Sequence, residues 1–143
     1  MANGAMSKTV IFDTNVLLDL FVFNDVKAIH LKTALLDQKL IGYANQQTLD
    51  EFAEVISRPV FGLDDAVQSA ILSQWQGLAR IVEGPRLSTA PWLCQDPDDQ
   101  VFVDLAYHLK PCILFSKDLE LLKMASRAAK EDILITADYT AWT

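Results

Sequence analysis

Val10-Ile11-Phe12-Asp13-Thr14-Asn15 is a short apolar run that ends abruptly on a carboxylate, with helix-forming sequence directly behind it. A run bounded in this way reads as a buried parallel strand over 9–13, with an acid at its carboxyl end. In open α/β sheets that is where ligand sites gather. Asp13 has a plainer use as a cap for the next helix. An acid at a buried strand terminus followed by Thr-Asn is better explained as a ligand. Asn15 then either orients Asp13 or simply begins the helix.

Outward from this strand, the chain alternates. Helical sequence runs from about Asn15 to Phe23, and Asn24 reads as the cap of a second helix with Val26, Ile29, Leu31, Leu35 and Leu36 as its apolar positions. Leu40 to Ala44 reads as a strand. Residues 46–57 form a helix whose Leu49, Phe52, Ala53 and Ile56 make one apolar face, ended by Arg58-Pro59. A further helix covers Asp64 to Arg80. Ile81-Val82 is a short strand before a loop holding Pro85, Pro91 and Trp92. Asp96-Pro97 opens a helix to about Leu109, Cys112–Phe115 is a strand, Asp118–Ala129 a helix and Ile133–Thr136 the last strand. Such alternation, without repeats or low-complexity linkers, predicts a single α/β domain. Its mainly parallel sheet is flanked by helices in three layers, with right-handed crossovers.

Composition agrees. A chain of 143 residues with 51% hydrophobic content buries a real core and is not disordered. No apolar stretch is long enough to cross a bilayer. Residues 1–8 read as a disordered or tag-like segment without signal-peptide character, with Met6 as an alternative start, and 9–143 as the domain. Cys94 and Cys112 lack a zinc spacing, so a reducing cytoplasm is the expected setting. The net charge of −7 opposes a broad phosphate-binding surface. Locally, Lys123, Arg127 and Lys130 follow Asp118 at helical i, i+4, i+7 spacing. That stripe is either a solvated face or a phosphate track.

The later acids are ambiguous one by one. The 46–57 helix offers Asp50, Glu51 and Glu54, all off its apolar face. Asp96 reads as an N-cap with Pro97 at the first helical position, which leaves Asp98 and Asp99 in the first turn. Periodicity slightly favours Asp98 as inward-facing. Asp118 follows a second strand and either caps a helix or shares a site with Asp13. Carboxylates converging there could not all stay ionised without a cation. Hard oxygen donors of this kind suit Mg²⁺ or Mn²⁺. His30 and His108 stand at no ligand spacing, no Gly-rich phosphate loop occurs, and the serines lack a nucleophile-elbow context. Trp75, Trp92 and Trp142 read as packing residues, with base stacking a further option for Trp92.

Taken in series, these segments resemble the PIN-domain family, and in particular toxin components of toxin–antitoxin pairs. Ile11-Phe12-Asp13-Thr14-Asn15-Val16-Leu17-Leu18 resembles the family's first-acid strand. Thr48-Leu49-Asp50-Glu51-Phe52-Ala53-Glu54-Val55-Ile56-Ser57-Arg58-Pro59 resembles its second-acid helix, Asp96-Pro97-Asp98-Asp99 with Ala106 the third, and Phe115-Ser116-Lys117-Asp118-Leu119-Glu120-Leu121-Leu122 the fourth. The likeness covers most of 9–137, in the right order. It selects Glu51, and Asp99 rather than Asp98, to join Asp13 and Asp118 as metal-holding and catalytic residues, with Asn15 and Ser116 in support. Ser116 stands where the family more often has Thr.

The resemblance implies a PIN-like α/β fold and a metal-dependent endoribonuclease that hydrolyses RNA phosphodiesters with one or two Mg²⁺ or Mn²⁺ ions. A carboxylate such as Glu51 would accept the proton of the attacking water. It further implies a small cognate antitoxin protein as partner. Docking is expected on 15–36, where Leu17, Leu18, Leu20, Phe21, Val22 and Phe23 exceed what one amphipathic face buries; the chain's own core and a homodimer are the other covers. A haloacid-dehalogenase-like phosphatase needs a second Asp where Asn15 stands. A receiver domain needs its acids earlier and in another order. A degenerate PIN module that binds RNA or protein without cutting is the non-enzymatic alternative.

Overall fold

The computed structural model of the protein describes residues 7–83, 89–94 and 96–143. The apolar run forms β1, Lys8–Phe12, one residue earlier at each end than its sequence predicts. Asp13 leaves the strand because its side chain accepts the Val16 amide and caps α1, Thr14–Phe21. The chain continues through α2 (Ile29–Leu36), β2 (Leu40–Ala44), α3 (Gln46–Ile56), α4 (Asp65–Leu78) and β3 (Arg80–Ile81). Then come α5 (Pro97–Leu109), β4 (Cys112–Phe115), α6 (Leu119–Leu122), α7 (Ala125–Ala129) and β5 (Ile133–Thr136).

All strand pairs are parallel, in the order β3-β2-β1-β4-β5. The chain builds outward from β1 on one side, then returns to lay β4 against the other side of β1. The sheet therefore changes winding direction between β1 and β4, with Phe12 opposite Phe115 in register. Side-chain alternation explains the continuous apolar runs. Val10 and Phe12 of β1, with Ile113 and Phe115 of β4, enter one core with α1 to α4. Ile11 and Leu114 enter the other, with α5, Leu121, Met124 and Ala128. Both faces are covered, which gives the three layers.

Several local expectations change. Asn24 does not cap the second helix. It takes a left-handed conformation (φ 48°) after α1, which asparagine tolerates, and Asp25 caps the 3₁₀ turn Val26–Ala28 that leads into α2. The helix expected over Asp118–Ala129 breaks in two at Lys123-Met124, where Met124 bonds back to Leu121. Lys123, Arg127 and Lys130 therefore do not lie on one continuous helix, and Lys123 pairs with Glu120 at 3.1 Å. Most of the apolar surface expected along α1 is internal. Leu17, Leu18, Leu20 and Phe21 are buried, because α1 packs against β1, α2 and α3 at once. The exposed apolar residues shift to its far end and beyond, to Phe23, Val26, Ile29 and Leu36.

Trp92 is buried edge-on against Tyr107, and both cysteines are free thiols. No helix among the described residues is long and apolar enough to cross a membrane. Residues 1–6 and Pro85 lie outside the described residues.

Gly42 of β2 lies under the ring of Trp75, where an added Cβ would stand 2.8 Å from Cη2. That ring is wedged against Phe12 and Phe21 and has no room to retreat. Gly42→Ala is therefore expected to cost about 1–3 kcal/mol by overpacking. Urea unfolding should show a lower midpoint with an unchanged slope; an unchanged midpoint would contradict this packing.

Candidate active site

The β1/β4 junction brings Asp13 and the Ser116–Asp118 loop together at the carboxyl end of the sheet. The Asp13 amide donates to the Phe115 carbonyl at 3.1 Å, which carries the strand pairing to the edge of the site. Its carboxylate is buried. One oxygen accepts the Val16 amide at 3.1 Å and the other the Ser116 hydroxyl. Ser116 is itself fully buried and accepts the Asp118 amide at 3.0 Å. One hydroxyl thus fixes the first acid and the backbone of the fourth.

Asp118 also caps α6, accepting from the Glu120 amide at 2.8 Å. Asp96 caps α5 through the Asp98 amide at 2.9 Å, and Pro97 takes the first helical position. Asp99 lies in that first turn, where the Asp118 carboxyl raises its proton affinity. The charges of Asp98 and Asp96 act on Glu51. Glu51, half-buried on α3, accepts a hydrogen bond from the Thr14 hydroxyl, so the residue after Asp13 ties α3 to the site. The acids therefore form two neighbouring groups. Asp13 and Asp118 follow the ends of β1 and β4 with Asp99 of α5 acting on them, and Glu51 with Asp96 and Asp98 forms the other group.

Proton affinities follow. Burial, and secondarily the charge of Asp118, raises Asp13 to about 6, although hydrogen bonds from Ser116 and Val16 oppose the shift. Burial, then the Asp118 charge and the hydrogen bond shared with it, raises Asp99 to about 7. Glu51 is raised by burial, against the Thr14 hydrogen bond. The strand-end carboxyls thus hold a proton at pH values where free aspartates have none. Among the described residues, no three His, Cys, Asp or Glu side chains stand close enough together to enclose an ion. The donor set nevertheless fits a hard divalent cation. It is all carboxylate oxygen, and it keeps by protonation the neutrality that a cation would supply.

Asn15 is exposed and contributes to Asp13 through its backbone amide. Thr14 escaped the sequence reading, as did a buried carboxylate at Asp19. The signal for Asp19 was available: it is the lone charged residue in Val16-Leu17-Leu18-Asp19-Leu20-Phe21-Val22-Phe23, hence a group that must find partners if buried. Those partners are Lys117 and Tyr139, each 2.7 Å from Asp19 Oδ2. The Lys117 ammonium is thereby engaged by the protein itself.

A parallel three-layer sheet with acids at its winding reversal places them where ligand sites of open α/β folds lie. The family model described as PIN domain matches residues 9–120, and the chain belongs to the PIN domain family. PIN domains are generally nucleases, typically use divalent metals and act on RNA, so the chain falls within a nuclease superfamily. Neither the curated proteins nor the solved structures give a match.

The raised Asp99 carboxyl makes the metal-free fold pH-dependent in a fixed direction. Its proton is bound more tightly in the folded chain than at the ordinary 3.8, so its contribution is fully present below that value and is lost as pH rises to about 7. In EDTA, the parent should lose stability relative to Asp99→Asn between pH 4 and pH 7, with the difference levelling above that range. Urea midpoints of both proteins across pH 4–8 check it. A pH-independent difference would mean that Asp99 is not crowded by Asp118.

Proposed function

We propose that the protein is a metal-dependent endoribonuclease that hydrolyses RNA phosphodiester bonds, and that it acts as the toxin of a toxin–antitoxin pair. The nuclease reading is supported by the PIN-domain match, together with Asp13 and Asp118 joined through Ser116 at the β1/β4 junction and the raised proton affinities of Asp13 and Asp99. These three residues would hold Mg²⁺ or Mn²⁺, with Glu51 reaching in from α3. When bound, the ion supplies an acidified water and neutralises the charge that builds on the phosphate oxygens.

The chain's own residues set the rest. Ser116 and the Val16 amide hold the Asp13 carboxylate in one orientation, so the strand-end acid presents a fixed oxygen toward the site. Asp96 caps α5, the helix that carries Asp99 in its first turn. Glu51 has a raised proton affinity and a single neutral donor in Thr14, which suits it to accept a proton from water and release it again. Asp118 faces Asp99 from the loop after β4.

The toxin reading rests on the resemblance of the Glu51 helix to that subgroup. The exposed Phe23, Val26, Ile29 and Leu36 add apolar surface on which an inhibitor protein could seat, and a second copy of the chain is the other candidate cover. One observation favours the rival reading of a module that binds RNA or protein without cutting. As arranged, no three acidic side chains among the described residues enclose an ion point.

Cleavage of a mixed RNA pool decides between them. The parent protein should cut with Mn²⁺ or Mg²⁺ and stop in EDTA. Asp118→Asn should lose at least about a hundredfold in rate, as removal of a metal-holding charge does. Asp96→Ala should lose a helix cap worth about 1 kcal/mol while keeping most activity. RNA retention by the parent without cleavage, in either metal, would establish the non-enzymatic module. Co-expression with the neighbouring open reading frame should yield a complex with suppressed cleavage; failure to co-purify would remove the toxin assignment and leave the nuclease.

A further inference from the structure

Asp19 is a carboxylate only 4% exposed on a helix whose neighbouring side chains are apolar. Burying such a charge costs several kcal/mol unless it is paired and hydrogen-bonded. Both donors reach the same oxygen, Oδ2, and they come from different parts of the chain. Lys117 lies in the loop between β4 and α6, and Tyr139 follows β5. The Tyr139 ring stands edge-on to Phe115 at 6.1 Å, so the hydroxyl is carried on a residue already packed beneath the site.

The position of Lys117 gives this network its meaning. The residue before it is Ser116, which donates to Asp13. The residue after it is Asp118, whose amide Ser116 accepts and whose carboxyl faces Asp99. The short loop that carries the fourth acid is therefore pinned twice to the same helix. One pin is at the Asp13 cap, and the other is at Asp19, six residues further along, or about 9 Å at the helical rise. The Ser116 amide also donates to the Thr136 carbonyl at 3.0 Å and the Asp118 carboxyl caps α6, so both ends of the loop are fixed to the sheet and to a helix. The Asp19 attachment adds a hold on the residue between them, Lys117, through its side chain. A buried ion pair contributes little net stability compared with well-packed apolar residues, so stability alone gives no reason for a charge at this place.

We infer that Asp19 is a positioning residue. With Lys117 and Tyr139 it clamps the Ser116–Asp118 loop so that Asp118 faces Asp13 and Asp99. The functional weight of the clamp rests on the nuclease reading given above, whereas the clamp itself is measurable without metal or RNA.

Amide exchange by NMR on the metal-free full chain reads it directly. The Asp118 and Glu120 amides, bonded to Ser116 Oγ and Asp118 Oδ1, report the loop, and the amides of α4 report the whole fold. Asp19→Asn keeps the shape and an acceptor for Tyr139 but loses the charge that holds Lys117. The loop amides should then exchange about tenfold faster while those of α4 stay within about twofold of the parent. Tyr139→Phe, which retains the ring against Phe115, should shift the loop in the same direction by less. Lys117→Arg should stay near the parent. Mn²⁺ titration of the same proteins should show affinity weakened about tenfold in Asp19→Asn.

Loop and α4 amides moving in step would reduce the network to ordinary stability, and unchanged Mn²⁺ affinity in a folded variant would remove its positioning role. Should Asp19→Asn not fold, Tyr139→Phe and Lys117→Met, both altered at groups whose loss leaves the core ring packing intact, decide by the same criteria. Loop amides that respond as expected in a protein whose parent takes up no Mn²⁺ would uphold the clamp and overturn the metal reading instead.

Discussion

Burial of the Asp13 carboxylate at the end of the central strand is a constraint to which the surrounding structure answers. An ionised group in that position has to be hydrogen-bonded or neutralised. The chain meets the demand with the Val16 amide from the first turn of α1 and the Ser116 hydroxyl from the end of β4. The second of these partners exists only because β4 pairs in parallel with β1, and that pairing in turn requires α5 to cross over the sheet. A local desolvation problem is thus tied to the topology of the whole domain. Burial nevertheless raises the proton affinity of this acid, so partial neutralisation by proton uptake completes the solution.

Electrostatic crowding at the strand ends runs against stability, and the architecture opposes it with geometry. Asp96, Asp99 and Asp118 all serve or neighbour helix N-termini, where backbone amides and the helix dipole favour negative charge. Capping and site-building therefore use the same acids or adjacent ones. Asp96 uses its carboxyl on the Asp98 amide, the charge of Asp98 bears on Glu51, and Asp118 bears on Asp99. Successive residues of α5 are about 100° apart around its axis, so they face different neighbours. Net charge for the whole chain is a poor guide to substrate in such a protein, because a good part of the −7 is concentrated where a cation would offset it.

Beneath the site lies a second buried acid with different partners. Asp13 and Asp99 are held by neutral donors or lie beside another acid, and their proton affinity rises. Asp19 is hydrogen-bonded by an ammonium and a phenol. One short helix thus carries a carboxylate at its cap and another within it in two different settings, without any difference in residue type.

Much of the frame was legible in the chain itself. Apolar runs of strand length separated by helical periodicity determined a parallel α/β sheet, because only strands covered on both faces tolerate such continuous hydrophobicity. β2, β4 and β5 fall on their predicted residues, and Asp96 announced itself as a helix start, whereas Asp13, read foremost as a ligand, also caps α1. Asp98 and Asp99 were a different matter. Their periodicity pointed to Asp98 and family resemblance to Asp99, and neither could show how the first turn of α5 stands against the loop after β4. Likewise the apolar stretch Leu17–Phe23 could not reveal that α1 is enclosed from several sides, since enclosure depends on how α2 and α3 fold back against it. The engagement of Lys117 by Asp19 was invisible for the same reason. Local sequence sets which backbone conformations and burial patterns are affordable, but a pairing across 98 residues is decided by where the sheet brings the two ends together.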